Sequence, residues 1–68
     1  MLVKLSLRGL RCKACISAVR STLEENGAKV LGISLKEADI EVNGEDLEKI
    51  IREIRELGYD AEVVEIQR

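Results

Sequence analysis

The two cysteines, Cys12 and Cys15, are the residues of this chain whose type and spacing could do chemistry. They are separated by two residues within residues 9–15, GLRCKAC, and the 68-residue sequence contains no histidine and no further cysteine. A thiolate is a nucleophile, a redox partner and a ligand for soft metal ions. Any chemistry of this protein is therefore expected at this pair.

Four interpretations of the pair are open: a thiolate site for a soft metal ion, a dithiol/disulfide redox couple, half of a zinc site, or two unreactive core cysteines. A closed zinc site needs four ligands, and the loop around the cysteines holds no histidine, further cysteine or carboxylate. Two thiolates suit a soft ion such as Cu(I) better, and they leave it open to an incoming thiolate.

The redox and core interpretations have less support. A Cys-x-x-Cys pair at a helix start is also the thioredoxin arrangement, but that family has a longer chain and a proline facing the dithiol, and this chain has no proline. Free cysteines are often buried. Because Cys12 stands between Arg11 and Lys13, we expect it to be at least partly exposed, whereas Cys15 should tuck inward near the first helical turn.

Four basic residues surround the cysteines in a chain whose net charge is −2. We call this set the basic collar: Arg8, Arg11, Lys13 and Arg20. Their charge, together with the free amide groups and positive dipole end of a helix start, should favour thiolates over thiols.

Composition excludes several classes of function. The 11 basic and 13 acidic residues are balanced, and Tyr59 is the only aromatic residue, so no basic face with stacking aromatics is available for nucleic acid.

No apolar run is long enough for direct membrane insertion, and the start lacks the layout of a signal peptide. We expect a cytoplasmic protein with reduced thiols, folded as one domain over residues 1–68.

Hydrophobic periodicity predicts six elements. Alternation from Val3 to Leu7 predicts a strand that Gly9 ends, and a helical pattern runs from Cys15 until the stop signal at residues 26–27. Two short strands follow, one with Leu31, Ile33 and Leu35 and one with Ile40 and Val42, joined by a polar turn over residues 36–39. A second helix and a last strand follow, with these apolar positions: Leu47, Ile50, Ile51, Ile54 and Leu57 before Gly58, then Ala61 and Val63. The order predicts an α+β, ferredoxin-like βαββαβ sandwich, with a four-stranded antiparallel sheet and both helices on one face.

Three groups of residues carry a resemblance to a known family. Residues 9–15, the helix positions Val19 and Leu23, and residues 57–60, LGYD, resemble the heavy-metal-associated domain. That family includes soluble copper chaperones and the amino-terminal metal-binding domains of heavy-metal-transporting P-type ATPases. The resemblance covers essentially the whole chain and implies the same strand and helix order.

By position, the resemblance implies that Cys12 and Cys15 are the two metal ligands. Leu10 stands where the family usually has methionine under the metal loop, and Arg11 stands where a small polar residue is common. Tyr59 resembles the tyrosine that bacterial copper chaperones place near the metal loop. Leu10, Arg11, Lys13 and Tyr59 are therefore the residues expected around the ligands.

The resulting hypothesis is a metal-binding module and not an enzyme. It would bind a soft ion, foremost Cu(I), with Ag, Hg, Cd or Zn as alternatives, because two thiolates select softness and not one element. The ion would then pass by ligand exchange to a heavy-metal-transporting P-type ATPase or to another Cys-x-x-Cys protein. A metal-bridged homodimer is also compatible with the pattern, because two open sites can share ions. The alternatives are a small thiol–disulfide oxidoreductase and a metal-silent or engineered scaffold of this fold.

Overall fold

Four antiparallel strands and two helices make up the structure, a computed structural model that describes residues 1–67. In chain order the elements are β1 Leu2–Arg8, α1 Lys13–Glu25, β2 Lys29–Ile33, β3 Glu37–Glu41, α2 Gly44–Glu56 and β4 Asp60–Gln67. The spatial order of the strands is β2-β3-β1-β4, and every neighbouring pair is antiparallel. This confirms the predicted α+β, ferredoxin-like βαββαβ fold.

The core lies between one face of the sheet and the two helices. β1 alternates as its sequence predicts, with Val3, Leu5 and Leu7 buried between more exposed neighbours. The largest side chains that are fully buried are all aliphatic: Leu5, Val19, Leu23, Ile40, Ile50 and Ile54. Burying a side chain of this size stabilises the folded state by about 1.5–3 kcal/mol relative to leaving it exposed. Because helices this short are marginally stable in isolation, it is this packing that holds them in place.

The predicted face of β2 is wrong at Leu31 and right at Ile33. Leu31 is 54% exposed and Val30 packs against the core in its place, while Ile33 packs against the core as predicted. The register between β2 and β3 shifts between Val30 and Gly32. An extra residue at such a bulge moves every later side chain to the other face, which strict alternation cannot anticipate.

The predicted turn between β2 and β3 is also wrong, because β3 begins earlier than expected. Glu37 already pairs with Ser6 of β1, and Ala38, which was predicted to lie in the turn, is buried in β3. The turn itself is residues 34–36. Leu35, predicted to continue β2, lies in this turn and is 41% exposed.

Both helices fall short of a membrane span. Among the helices of residues 1–67, none combines the length and the apolar character that crossing a bilayer requires.

Candidate metal centre

The loop between β1 and α1 places the two cysteines next to each other. Cys12 is the residue before α1, with an extended backbone, and its carbonyl oxygen accepts hydrogen bonds from the amides of Cys15 at 3.1 Å and Ile16 at 3.2 Å. The helix therefore begins at Lys13, two residues before the predicted start, and Cys15 lies in its first turn. The two sulfur atoms are 3.6 Å apart, and both thiols are free.

Exposure differs between the two cysteines as the sequence predicts. Cys12 is exposed and Cys15 is half-buried. Leu10, by contrast, is buried and belongs to the hydrophobic core. Leu10 thus anchors the base of the loop in the apolar core, while the outer part of the loop, which includes Cys12, is exposed to solvent.

Gly9 has a role that sequence reasoning missed, because we treated it only as the end of a strand. Its φ of +90° lies in the region that favours glycine, and a Cβ on this residue would lie 3.5 Å from Cδ1 of the Tyr59 ring. Gly9 is therefore needed for the sharp turn of the loop, whereas a Cβ at this distance from the ring would make only an ordinary contact. The sequence signal was the glycine that directly precedes the loop residues.

The end of α2 positions Tyr59. Gly58 has a φ of +96°, and its amide donates to the carbonyl of Arg55 at 3.0 Å while the amide of Tyr59 donates to the carbonyl of Ile54 at 3.3 Å. This pair of hydrogen bonds is the Schellman motif, which ends a helix in a fixed geometry. It directs Tyr59 toward the cysteine loop, where the Tyr59 hydroxyl donates a hydrogen bond to Cys15.

Hydrogen bonds to its sulfur lower the pKa of Cys15 from 9.0 to about 6. The backbone amide of Arg11 contributes most, followed by the Tyr59 hydroxyl and then by the backbone amide and side chain of Cys12, while burial acts in the opposite direction. Donors of this kind stabilise the thiolate more than the thiol. Cys15 is therefore mainly a thiolate at neutral pH, and the same hydrogen bond raises the pKa of Tyr59.

The basic collar acts differently from our prediction. Arg8 lies 3.9 Å from a carboxylate oxygen of Glu62, and Arg20 lies 3.8 Å from one of Glu24. Arg11 acts on Cys15 through its backbone amide. The causes that lower the Cys15 pKa are all hydrogen bonds, so the expectation that the collar's charges produce the thiolate is wrong. The expectation for the amides at the helix start is right only for Cys12, because the largest contribution comes from the Arg11 amide in the loop before α1.

Comparison with known proteins identifies the family. The sequence profile of the heavy-metal-associated domain matches residues 4–60. This chain belongs to the heavy-metal-associated domain family.

Other members of the family include proteins of Archaeoglobus fulgidus. Copper chaperone CopZ of this organism is 43% identical over 60 residues, which are 87% of this chain and 29% of CopZ. The protein named "Probable copper-exporting P-type ATPase" is 41% identical over 61 residues, which are 90% of this chain and 8% of that protein. The chain thus spans less than a third of the length of either relative.

A solved structure supports the same assignment. The crystal structure of the CopA C-terminal metal-binding domain superposes with a TM-score of 0.74 at 38% identity, and the match covers 88% of this chain and 83% of that one. The strand and helix order derived from the residues is therefore that of a heavy-metal-associated domain.

The donor set of this heavy-metal-associated domain is small. Within residues 1–67 there is no group of three or more cysteine, aspartate, glutamate or histidine side chains that could hold a metal ion. Two sulfurs 3.6 Å apart can both reach one ion at a metal–sulfur distance of about 2.3 Å, with an angle of about 100° at the ion. That angle is close to tetrahedral and therefore does not exclude zinc. Two donors leave the other coordination positions of the ion free, so the donor set suits an open site and not a closed zinc site with four protein ligands.

Proposed function

We propose that Cys12 and Cys15 bind one Cu(I) ion as thiolates and pass it by ligand exchange to a second Cys-x-x-Cys site, and that this chain is a metal carrier and not an enzyme. The observation that carries the proposal is the pair of free thiols, whose sulfur atoms lie 3.6 Å apart with Cys12 exposed to solvent. The hydrogen bonds that lower the pKa of Cys15 to about 6 support it. The names of the relatives, a copper chaperone and a copper-exporting ATPase, support copper as the ion.

The two ligands differ in a way that suggests an order of exchange. Four backbone or side-chain donors hold the sulfur of Cys15, which is half-buried, whereas Cys12 lies on the solvent side of the loop. An incoming thiolate would therefore bind the ion on its open side and replace Cys12 first. Cys15 would leave last, when a second thiolate of the acceptor takes its place.

The residues around the ligands would have separate roles. Leu10 would hold the loop, the Arg11 amide and the Tyr59 hydroxyl would hold the Cys15 thiolate, and Lys13 would add positive charge at the start of α1. Because the pair selects soft ions, Ag(I) and Hg(II) would compete with Cu(I) more strongly than Cd(II) or Zn(II).

The acceptor of the ion would be a heavy-metal-transporting P-type ATPase or another Cys-x-x-Cys protein. Residues 1–68 would act as a single domain and meet this acceptor in the cytoplasm. The ATPase relative carries a segment 41% identical to this chain, so a domain of this same kind is the natural acceptor.

The test is an anaerobic titration with Cu(I) against a chelator of known affinity. We expect one ion per chain, loss of binding in the Cys12→Ser/Cys15→Ser variant, and unchanged binding in Ser21→Ala, a control on the exposed face of α1. Binding that survives loss of both cysteines, or a stoichiometry far below one, would refute the proposal.

A thiol–disulfide oxidoreductase is the second candidate, since a thiolate of lowered pKa beside a second thiol is also the arrangement of a redox couple. Insulin reduction with glutathione as the electron source distinguishes the two. Turnover without Cu(I) binding would favour the oxidoreductase, and the absence of both would favour a metal-silent scaffold.

A further inference from the structure

The sheet has two open edges, formed by β2 and β4. Within residues 1–67 each of these strands pairs with one neighbour only, so its other side presents backbone amide and carbonyl groups without a partner strand. Seven large apolar side chains are exposed in the same part of the chain, and four of them lie on these two strands: Leu31, Val63, Val64 and Ile66. Open edges with exposed apolar side chains favour pairing with a further strand.

The two edge strands run in directions that suit each other. Because every neighbouring pair in the order β2-β3-β1-β4 is antiparallel, β2 and β4 point in opposite directions. A second copy placed beside β4 in the same orientation would therefore bring its own β2 antiparallel to β4. The two four-stranded sheets would then continue as one sheet, with the helices of both copies on one face.

Both edge strands contain one extra residue at a bulge. The register of β4 against β1 shifts at Val64, and the register of β2 against β3 shifts at Leu31. A bulge normally protects an edge, because a regular strand laid against it loses its alternation there. A strand with a bulge of the same spacing keeps its alternation across the irregularity.

The bulges give both strands the same irregular spacing on the helix side of the sheet. In β4 the side chains on this side are Val63 and Ile66, which pair with buried residues of β1. In β2 they are Val30 and Ile33, which pair with buried residues of β3. Both sets are three residues apart, where a regular strand has two. An antiparallel pair can therefore match Val63 with Ile33 of the second copy, and the same register matches Ile66 with Val30.

A groove beside β4 has room for side chains of an added strand. Its volume is about 490 Å³, and its apolar part is formed by Ile51 of α2 together with Ala61 and Val63 of β4. Ile33 of the second copy would lie opposite Val63 and enter this groove from the helix side. The contact would remove apolar surface of both copies from water, which favours association.

Charge selects which edges meet. In the matched register Glu65 lies diagonally across from Lys29 of the second copy, and both side chains are on the sheet face opposite the helices, within reach of each other. Within residues 1–67 neither of them takes part in an ion pair. Two β4 edges would fit the same spacing, but they would bring Glu62 of one copy near Glu65 of the other, and such like charges are destabilising. Two β2 edges would bring no opposite charges together and would leave the apolar side chains of β4 exposed.

We propose that β4 of one molecule pairs with β2 of a second copy, so that the two edges form a head-to-tail surface for self-association. Each contact leaves one β2 and one β4 open, so further copies can add without closure. Neighbouring strands are about 4.8 Å apart, so successive thiol pairs would lie roughly 20 Å apart along one end of the assembly. The proposal is independent of the proposed function, since neither edge includes Cys12 or Cys15.

Two single substitutions each block one edge. Leu31→Glu places a carboxylate directly opposite Glu65 of the neighbouring molecule, and Ile66→Lys places an ammonium group in the apolar match with Val30. The unmodified chain, metal-free and reduced, should show a mean mass in sedimentation velocity that rises with concentration and does not level off at the dimer. Each substitution should weaken this association by about tenfold.

The matched control for Ile66→Lys is Leu57→Lys. Both side chains are 46% exposed, but Leu57 lies at the end of α2 and on neither edge. The control should associate like the unmodified chain. Circular dichroism checks that each variant is folded, which we expect because Leu31, at 54% exposure, and Ile66 contribute little to the core.

An equimolar mixture of the two blocked variants tests the polarity of the contact. Leu31→Glu keeps an intact β4 edge and Ile66→Lys keeps an intact β2 edge, so the mixture should form dimers although neither variant associates alone. Growth should stop at the dimer, because the two remaining edges are both blocked. Self-association of either variant alone at the unmodified strength would indicate pairing of identical edges and overturn the proposal. An unmodified chain that is still monomeric at about 1 mM would overturn it too.

The Cys12→Ser/Cys15→Ser variant separates edge pairing from metal bridging and from the proposed function. We expect it to associate as strongly as the unmodified chain, with or without a copper chelator. Association that requires the cysteines or copper would overturn edge pairing and leave the proposed function intact. Edge pairing in a chain that binds no Cu(I) would have the opposite meaning.

Discussion

The starts of α1 and α2 are built differently, although both helices have 13 residues and each crosses over between two strands. α2 begins after Asn43 and carries Glu45 and Asp46 in its first turn. α1 begins after Cys12 and carries no acidic residue in its first turn. Carboxylates near a helix start complement the positive end of its dipole. In α1 no carboxylate takes this position, and Cys15 lies in the first turn instead.

The two helices also differ in how deeply they pack. α2 buries Leu47, Ile50 and Ile54, whereas only Val19 and Leu23 of α1 are buried. The second helix thus contributes more buried side chains to the core, whereas the first helix carries the thiol that could do chemistry. The comparison teaches that the helix beside the thiols begins without a carboxylate, and that the packing that supports the site lies mainly elsewhere.

The largest effect should come from the packing side of the comparison. Ile50→Ala removes a fully buried side chain of α2, and we expect it to lower the free energy of unfolding by about 2–5 kcal/mol. Urea denaturation measures this change. The pH titration of thiolate absorbance should still place the Cys15 pKa near 6 in the folded protein. A loss below 1 kcal/mol, or a shifted thiol titration, would contradict the division between the helices.

The next effect should distinguish the two helix ends. Gly27→Ala and Gly58→Ala each force a side chain into a positive φ, of +82° and +96°, at a position where the added Cβ meets no close atom. The strain should cost each variant about 1–2 kcal/mol. Only Gly58→Ala should also raise the Cys15 pKa, because Gly58 positions Tyr59. Equal thiol titrations in the two variants would show that Tyr59 does not depend on this motif.

A charge exchange between the helix starts should give a smaller effect, with opposite signs. Lys13→Glu adds an acid to the first turn of α1 and should stabilise the fold by about 0.3–1 kcal/mol, while Glu45→Lys in α2 should destabilise it by a similar amount. Lys13→Glu should also raise the Cys15 pKa and weaken Cu(I) binding. Thermal unfolding and thiolate absorbance provide the two readouts, and Glu45→Lys, which should leave the thiol unchanged, is the control.

The last expected effect is a pH dependence of stability in the metal-free protein. Because folding lowers the Cys15 pKa from 9.0 to about 6, this group adds no stability below pH 6, adds more as the pH rises from 6 to 9, and adds its full amount above 9. Solvent near the exposed pair weakens the effect. Unfolding midpoints from pH 5 to 9 should show the rise, Cys15→Ser should abolish it, and Tyr59→Phe should retain part of it through the Arg11 amide.

The sequence predicted the element order because alternation in β1 and the apolar stripe of α2 reflect burial directly. It failed at β2, where a bulge turned Leu31 outward, because a bulge is set by pairing with a neighbouring strand and not by residue type. The same limit explains Ala38, whose place in β3 depends on its partner Leu5.

At the site, the sequence located the thiol pair and the resemblance pointed to Tyr59. The cause of the lowered Cys15 pKa was harder to predict, since it depends on where the Arg11 amide points after the turn at Gly9. Basic side chains are visible in a sequence, whereas the direction of a backbone donor follows only from the folded loop.

Leu2 pairs with Gln67, so the first and last strands meet at the end of the sheet opposite the cysteine loop. Anything joined at either of these points would extend away from the thiols and leave them accessible. A tether attached there, to a surface or to a neighbouring domain, would raise the local concentration of the site without shielding it, and the gain would depend only on the length and stiffness of the tether.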